Sequence, residues 1–186
     1  MIRKILESLS RKKLIILILA LIERMKREKD FRAFANALGK AESNNNYYAK
    51  NSLGYLGYYQ FGKARLCDLG YTERIKQGFT NNCFEWKGGM TDEGFLNNSR
   101  LQDKVFREHV ENLLNYIDKH CSFYFDKMVA GVRVTRSGCV AFAHLAGLGG
   151  LKKFLMTGFD PKDVVSGAPA TTYMKKFSGY DLKVVT

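Results

Sequence analysis

The chain has 186 residues, of which 46% are hydrophobic and 13% aromatic, and it carries a formal net charge of +12. This size and apolar content exclude a disordered chain and predict one compact domain that buries its core without disulfides or metals. The surplus of positive charge points to a polyanionic partner, for which nucleic acid, an anionic membrane and the acidic bacterial cell wall all qualify.

The first thirty residues differ in character from the rest. MIRKILESLSRKK is basic, Leu14–Ile22 (LIILILALI) is a nine-residue apolar run, and ERMKREKD is charged again. The pattern is like a positive region followed by the apolar region of an export signal, but no small-residue cleavage site follows. Nine residues fall far short of the ~20 that cross a bilayer as a helix. Three readings stand for residues 1–29: an uncleaved signal or anchor, a basic helix lying on a membrane, or a helix docked on the main domain of residues 30–186.

Asp30 is placed to cap a helix whose apolar residues Phe31, Phe34, Ala35 and Leu38 recur at helical spacing, running to about Glu42. Asn44–Asn46 stop it, and Asn51-Ser52, Gly54 and Gly57 predict turns or a short hairpin. Gln60 to Leu69 predicts a short helix ended by Gly70-Tyr71, and Gly78 to Gly94 a looser segment holding Trp86. A long helix follows, capped by Asn98 or Ser99, with Leu101, Val105, Val110, Leu113, Leu114 and Ile117 on one face. An apolar helix over Ser137 to Ala146 turns at Gly147, Gly149 and Gly150 into Leu151–Met156, which Gly158 ends. Thr171 or Thr172 caps a last short helix that finishes before Gly179. The fold class expected is α+β, predominantly α, with a small β or irregular region after the helix that ends near Glu42.

Cys67, Cys83, Cys121 and Cys139 lack C-x-x-C spacing, so no zinc site is expected. Their even number fits two disulfides, Cys67–Cys83 and Cys121–Cys139, and equally four half-buried thiols. The basic residues are dispersed along the chain except in runs such as Arg11-Lys12-Lys13 and Lys175-Lys176. That dispersal argues against a nucleic-acid groove, and no nucleic-acid partner is expected.

One acid is conspicuous. Glu42 stands among amides, tyrosines and glycines in AESNNNYYAKNSLGYLGYYQFG. Glu42-Ser43, Asn46, Ala49, Gly54, Gly57 and Gln60 resemble the E-S-x-x-N-x-x-A-x-x-x-x-G-x-x-G-x-x-Q pattern of lytic transglycosylases with a soluble-transglycosylase, goose-lysozyme-like domain. Ala143-His144-Leu145-Ala146-Gly147-Leu148-Gly149 resembles the A-Y-N-A-G-x-G element of the same family, and Pro169–Tyr180 is similar to the tail of some members. The resemblance covers roughly residues 31–150 and implies a lysozyme-like helical domain, with the small β or irregular region after the catalytic helix. It also implies that this domain cleaves peptidoglycan glycan strands with a single glutamic acid and no metal or cofactor.

Physical chemistry supports that assignment of Glu42. Breaking a glycosidic bond needs an acid that protonates the leaving oxygen, and a carboxyl serves near neutral pH only if burial raises its pKa towards ~6. Tyr47, Tyr48, Tyr55, Tyr58 and Tyr59 offer flat faces for sugar rings, and asparagine and Gln60 amides suit N-acetyl groups. In the family, the glutamic acid protonates the bond between N-acetylmuramic acid and N-acetylglucosamine. The resulting carboxylate then takes the proton of the muramic 6-hydroxyl, which closes a 1,6-anhydro ring without a second acid.

The candidate catalytic residue is therefore Glu42, with Ser43, Asn51, Tyr58, Tyr59, Gln60 and His144 as candidate substrate-binding residues. For Tyr58 and Tyr59 core packing competes with sugar contact, and for Gln60 a bond to the backbone of its own turn does. His144 stands where the family has tyrosine and Leu145 where it has asparagine; His144 is able to donate a hydrogen bond to Glu42, but a charged imidazole would weaken the acid. His109 and His120 read as structural. Glu85, Asp92 and Glu93 would make the enzyme an inverting hydrolase if one held a water about 6.5–9.5 Å from Glu42; as surface charges and a helix start, the favoured reading, they leave the reaction to one acid. The expected partners are glycan strands and the anionic wall, with membrane contact through residues 1–29. The expected location is the cell envelope, periplasm or exterior, reached by anchoring, by phage or by a secretion apparatus. A lysozyme-type hydrolase and an inactive peptidoglycan-binding module are the alternatives.

Overall fold

In a computed structural model that describes residues 11–77, 80–164 and 166–182, the chain forms helices and two small hairpins. In order these are α1 (Arg11–Ser43), α2 (Lys63–Asp68), β1 (Thr72–Gln77), β2 (Thr80–Trp86), α3 (Asp92–Leu96), α4 (Ser99–His120), a 3-10 turn (Ser122–Tyr124), β3 (Met128–Val129), β4 (Val132–Arg133), α5 (Arg136–Thr157) and α6 (Thr171–Lys176). With 59% helix and 10% strand, the fold is α+β and predominantly α. The N-terminal basic stretch 1–10, the Gly78 start of the looser segment and residues 183–186 lie outside the described residues.

α4 obeys its sequence pattern. Val105, Phe106, Val110, Leu113, Leu114 and Ile117 are all buried on one face, and the Asn98 side chain accepts from Leu101 N at 3.0 Å, making Asn98 the cap. α5 starts on Thr135, whose hydroxyl accepts from Gly138 N, and ends at left-handed Gly158. Its bend falls at Gly147 (φ 71°, ψ 166°), a conformation open to glycine.

Three expectations need correction. Asp30 caps nothing, because α1 runs unbroken through it from Arg11. The docked reading of Leu14–Ile22 also fails: Ile15, Ile16, Leu17, Ile18, Leu19, Leu21 and Ile22 are 39–67% exposed. The region after Glu42 is irregular, one of the two forms expected. There the chain makes turns joined by isolated bridges Lys50–Leu56 and Leu56–Phe61. The antiparallel hairpins come later, β1 against β2 with Thr72 opposite Trp86, and β3 against β4. The cap of α6 is Ala170, while the Thr171 hydroxyl bonds the Asp160 carboxylate. All four cysteines are thiols rather than disulfides, with Cys121 and Cys139 buried.

α1 ends where Asn44 and Asn45 turn left-handed (φ 56° and 64°) and Asn45 N reaches back to Gly39 O at 3.1 Å. The turns after it are clamped from both sides. On α1, Gly39 presents bare backbone to the Tyr58 ring, which a Cβ would approach to 1.6 Å. On α4, the fully buried Gln102 accepts from Tyr58 N (2.8 Å) and donates to Phe95 O (2.9 Å), Tyr47 O (3.1 Å) and Leu96 O (3.2 Å). Asp103 beside it accepts from the hydroxyls of Tyr47 (2.9 Å) and Tyr59 (3.0 Å). α6 closes the other side, with Met174 and Phe177 buried, Phe34 and Phe177 edge to face at 5.8 Å, and Gly138 leaving room for the Met174 carbonyl.

Gln102→Leu keeps the volume of that clamp but strands the backbone groups it satisfies. It is expected to lower stability by about 2–4 kcal/mol, read as a fall in the urea midpoint with an unchanged slope.

Candidate active site

Glu42 lies in the last turn of α1, where the negative end of the helix dipole disfavours a carboxylate. Its side chain is 12% exposed, and Oε1 is buried without a hydrogen-bond partner among the described residues. It opens on a cavity of about 400 Å³ that is also lined by Asn51, Tyr55, Gln60, His144, Asp163 and Tyr173. Burial pushes its pKa up to about 7; the Tyr173 hydroxyl bonds the carboxyl and pulls the other way, Asp163 adds to the rise, and Lys176 offsets part of it. An acid held near neutrality in a polar, largely uncharged hollow is equipped to give a proton and to take one back.

A wider depression of about 810 Å³ lies between α1 and α4, lined by Arg24, Glu28, Arg32 and Arg107 among others. Its acid Glu28 is paired with Arg32 (3.1 Å) and Arg107 (2.9 Å). That acid is ionised and paired on an open seam, so the Glu42 cavity is the candidate site.

Of the residues singled out by sequence, Glu42, Asn51, Gln60 and His144 meet in one cavity. Asn51 Oδ1 is occupied by Leu53 N and Tyr55 N, which fold the turn, and this leaves its NH2 group for a ligand. Gln60 Nε2 donates to Gly57 O at 2.8 Å, bracing its own left-handed backbone (φ 48°), and leaves Oε1 as acceptor. Ser43, Tyr58 and Tyr59 do not line the cavity. The Ser43 hydroxyl donates to Tyr58 O (2.9 Å) and accepts from Asn46 N (3.0 Å), so it pins the loop. Tyr58 and Tyr59 are core residues: Tyr58 bonds Asn45 Oδ1, and Tyr59 stacks on Phe106 at 3.9 Å. Of the five tyrosines grouped around Glu42 by sequence, Tyr55 alone reaches the hollow.

His144 projects from α5 with its side chain 7% exposed and Nε2 3.9 Å from Glu42 Oε1. Burial, with Arg65 nearby, lowers its pKa to about 4, so it faces the acid uncharged near neutral pH. Its Nδ1 lies 3.0 Å from Nε2 of the buried His109, which makes His109 a member of the site's support. His120 sits at the end of α4 against Tyr116, away from the cavity.

Among the cavity residues that went unrecognised in the sequence are Tyr173, Lys162 and Asp163. Tyr173 lies inside the tail Pro169–Tyr180 that resembles the family, and that likeness was the one signal available. Asp163 carries none; its Oδ2 accepts from Ser166 N (2.7 Å) and Ser166 Oγ (2.6 Å). Glu85, Asp92 and Glu93 stay outside the cavity. Asp92 is buried enough to resist ionising, yet hydrogen bonds from Lys50, Trp86 and Lys63 hold its pKa down at about 2.

No protein-family model, curated protein or solved structure matches the chain.

The raised pKa of Glu42 has a stability signature. Between the ordinary value of 4.5 and about 7, the unfolded chain releases this proton while the native state keeps it, so stability falls as pH rises. Relative to Glu42→Gln, the wild type is expected to lose about 3 kcal/mol across that window, measured as the difference between their urea curves at pH 4 and pH 8.

Proposed function

We propose that the chain is a peptidoglycan lytic transglycosylase of lysozyme-like fold. It cleaves the β-1,4 bond between N-acetylmuramic acid and N-acetylglucosamine and leaves 1,6-anhydro ends. The observation that carries this reading is the buried Glu42 carboxyl, protonated up to about pH 7, facing an amide- and tyrosine-lined cavity. A carboxyl at the end of a long helix, beside a loop braced on a second helix, also fits the lysozyme-like arrangement.

In this mechanism Glu42 gives its proton to the glycosidic oxygen as the C1–O bond breaks and its electron pair passes to the leaving sugar. The Glu42 carboxylate then removes the proton of the muramic 6-hydroxyl, whose oxygen bonds to C1. One carboxyl serves both steps because the second nucleophile is tethered to the reacting ring. Asn51 and Gln60 supply amide contacts to N-acetyl and hydroxyl groups, and Tyr55 supplies a ring face.

Asp163 favours a second reading, hydrolysis, in which it would activate a water against the same bond. The substrate lies outside the cytoplasm, so the proposed location is the cell envelope, periplasm or exterior. Membrane contact is supported by the exposed run Leu14–Ile22, which has Arg11, Lys12 and Lys13 on one side and Arg24, Lys26 and Arg27 on the other. An apolar surface between two basic clusters matches an anionic bilayer, whereas a second copy would bring like charges together. The net charge of +12 likewise favours approach to an anionic wall.

Purified sacculi are expected to clear with the wild type and at least about 10²-fold more slowly with Glu42→Gln; equal rates, or no clearing by either, would leave a binding module. Mass spectrometry of the released fragments is expected to find anhydro ends, each short of one water, and reducing ends alone would assign the reaction to Asp163-assisted hydrolysis.

Co-sedimentation with phosphatidylglycerol vesicles is expected for the full chain, to weaken with salt and to disappear in the Ile16→Glu/Leu19→Glu double variant. Equal binding to neutral vesicles would contradict the role of the flanking charges.

A further inference from the structure

Three side chains beneath the cavity, the buried His109 and His144 and a partly exposed Arg65, make a connected line. Arg65 Nε donates to His109 Nδ1 at 2.7 Å, His109 Nε2 meets His144 Nδ1 at 3.0 Å, and His144 Nε2 meets Tyr59 O at 3.1 Å. An arginine N–H only donates and a carbonyl oxygen only accepts, so both ends dictate the same direction. His109 Nδ1 must be the acceptor, its Nε2 carries the proton, His144 Nδ1 accepts, and His144 Nε2 carries the proton that faces the cavity. Any other assignment of two neutral rings sets N–H against N–H or lone pair against lone pair.

We infer that Arg65 and His109 are positioning residues whose task is to hold His144 in the Nε2–H form, ready to donate to the Glu42 carboxylate when that acid has lost its proton. The inference rests on the proposed role of Glu42 and adds a support that the reaction needs. His144 Nε2 now bonds Tyr59 O, and Glu42 Oε1 waits 3.9 Å away, buried and without a hydrogen-bond partner among the described residues. While Glu42 is protonated, the carbonyl is the better acceptor. Once it is a carboxylate, a charge-assisted bond is the stronger choice, and a shift of roughly 1 Å closes it to hydrogen-bond length.

The surroundings suit such a device. The His109 and His144 rings lie edge-on to Phe61 (89° and 82°), which helps keep water from the line. The positive charge stays on Arg65, two rings away from the acid, so it polarises the chain of bonds without ionising Glu42 in the resting state. A charge placed directly against the carboxyl would remove the proton that the first step requires. The arrangement is also demanding as mere packing, because it leaves Arg65 Nη2 buried without a partner; apolar side chains of equal volume would fill the space more stably. The other titratable groups about Glu42 are Tyr173 and Lys176 from α6, which favour its charged form, Asp163, which opposes it, and Lys162, which lines the same cavity.

The test reads the tautomers directly. In nitrogen-15 imidazole spectra of the full chain, His109 and His144 are both expected to be neutral and protonated at Nε2 from pH 5 to 9. The His144 Nε2 proton is expected to move downfield as Glu42 ionises, and that movement should vanish in Glu42→Gln. A His144 protonated at Nδ1, or an Nε2 proton indifferent to Glu42, would overturn the inference. This measurement needs no turnover, so it separates failure of the relay from failure of the transglycosylase reading.

Kinetics supply the second arm. His109→Leu, which removes the donor to His144, is expected to lower kcat by about 10- to 100-fold with KM unchanged, and to move the high-pH limb of the rate profile upward. His109→Gln, whose carbonyl can accept from Arg65 while its NH2 donates to His144, is expected to restore both. Loss of rate without movement of that limb, in a folded variant, would mark His109 as packing only.

Discussion

The Gln102 side chain on α4 is the constraint on which the cleft depends. A fully buried amide must find partners, and its oxygen and nitrogen find them in the backbone of Tyr58, Tyr47, Phe95 and Leu96. One residue thereby ties the loop after α1 to the turn of α3 and to α4 itself. Gly57 is left-handed (φ 76°) at the closest approach, where a Cβ would stand 2.1 Å from Gln102 Oε1. With Tyr58 held there and pressed on Gly39, the chain turns so that Asn51, Tyr55 and Gln60 face Glu42. Irregular backbone becomes a defined cavity wall because its polar groups are satisfied by side chains rather than by a ladder.

A second theme is the placing of charge. The protein carries +12 overall, yet the carboxyl at its centre is kept uncharged up to about pH 7 by burial. Lys162 lines the cavity, Lys176 offsets only part of the rise, and Arg65 reaches Glu42 through two neutral imidazoles. Histidine beside the acid is compatible with acid chemistry for that reason. A buried imidazole with its pKa near 4 supplies a hydrogen-bond donor without supplying a charge.

α1 links the two surfaces given roles under the proposed function. The same unbroken helix carries the exposed run Leu14–Ile22 and, near its other end, Glu42. From Ile22 to Glu42 the rise of about 1.5 Å per residue amounts to roughly 30 Å. A bilayer engaged by the apolar run would therefore set the distance at which the acid works.

Sequence by itself determined the elements that depend on local chemistry. The apolar face of α4 with its cap at Asn98 or Ser99, the α5 corner within residues 147–150 and the end at Gly158 were legible, because propensity and capping act over a few residues. The spacing from Glu42 to Gln60 was legible too, since one turn-rich segment carries it. Tertiary structure alone decided that Tyr58 and Tyr59 pack inward, that Ser43 pins backbone, that His109 meets His144, and that Asp163 and Tyr173 share the acid's cavity. It also decided that the hairpins form at 72–86 and 128–133. Those outcomes depend on which helix faces meet and which buried polar groups find partners, and the periodicity of a chain shows that a face is apolar without showing what it faces.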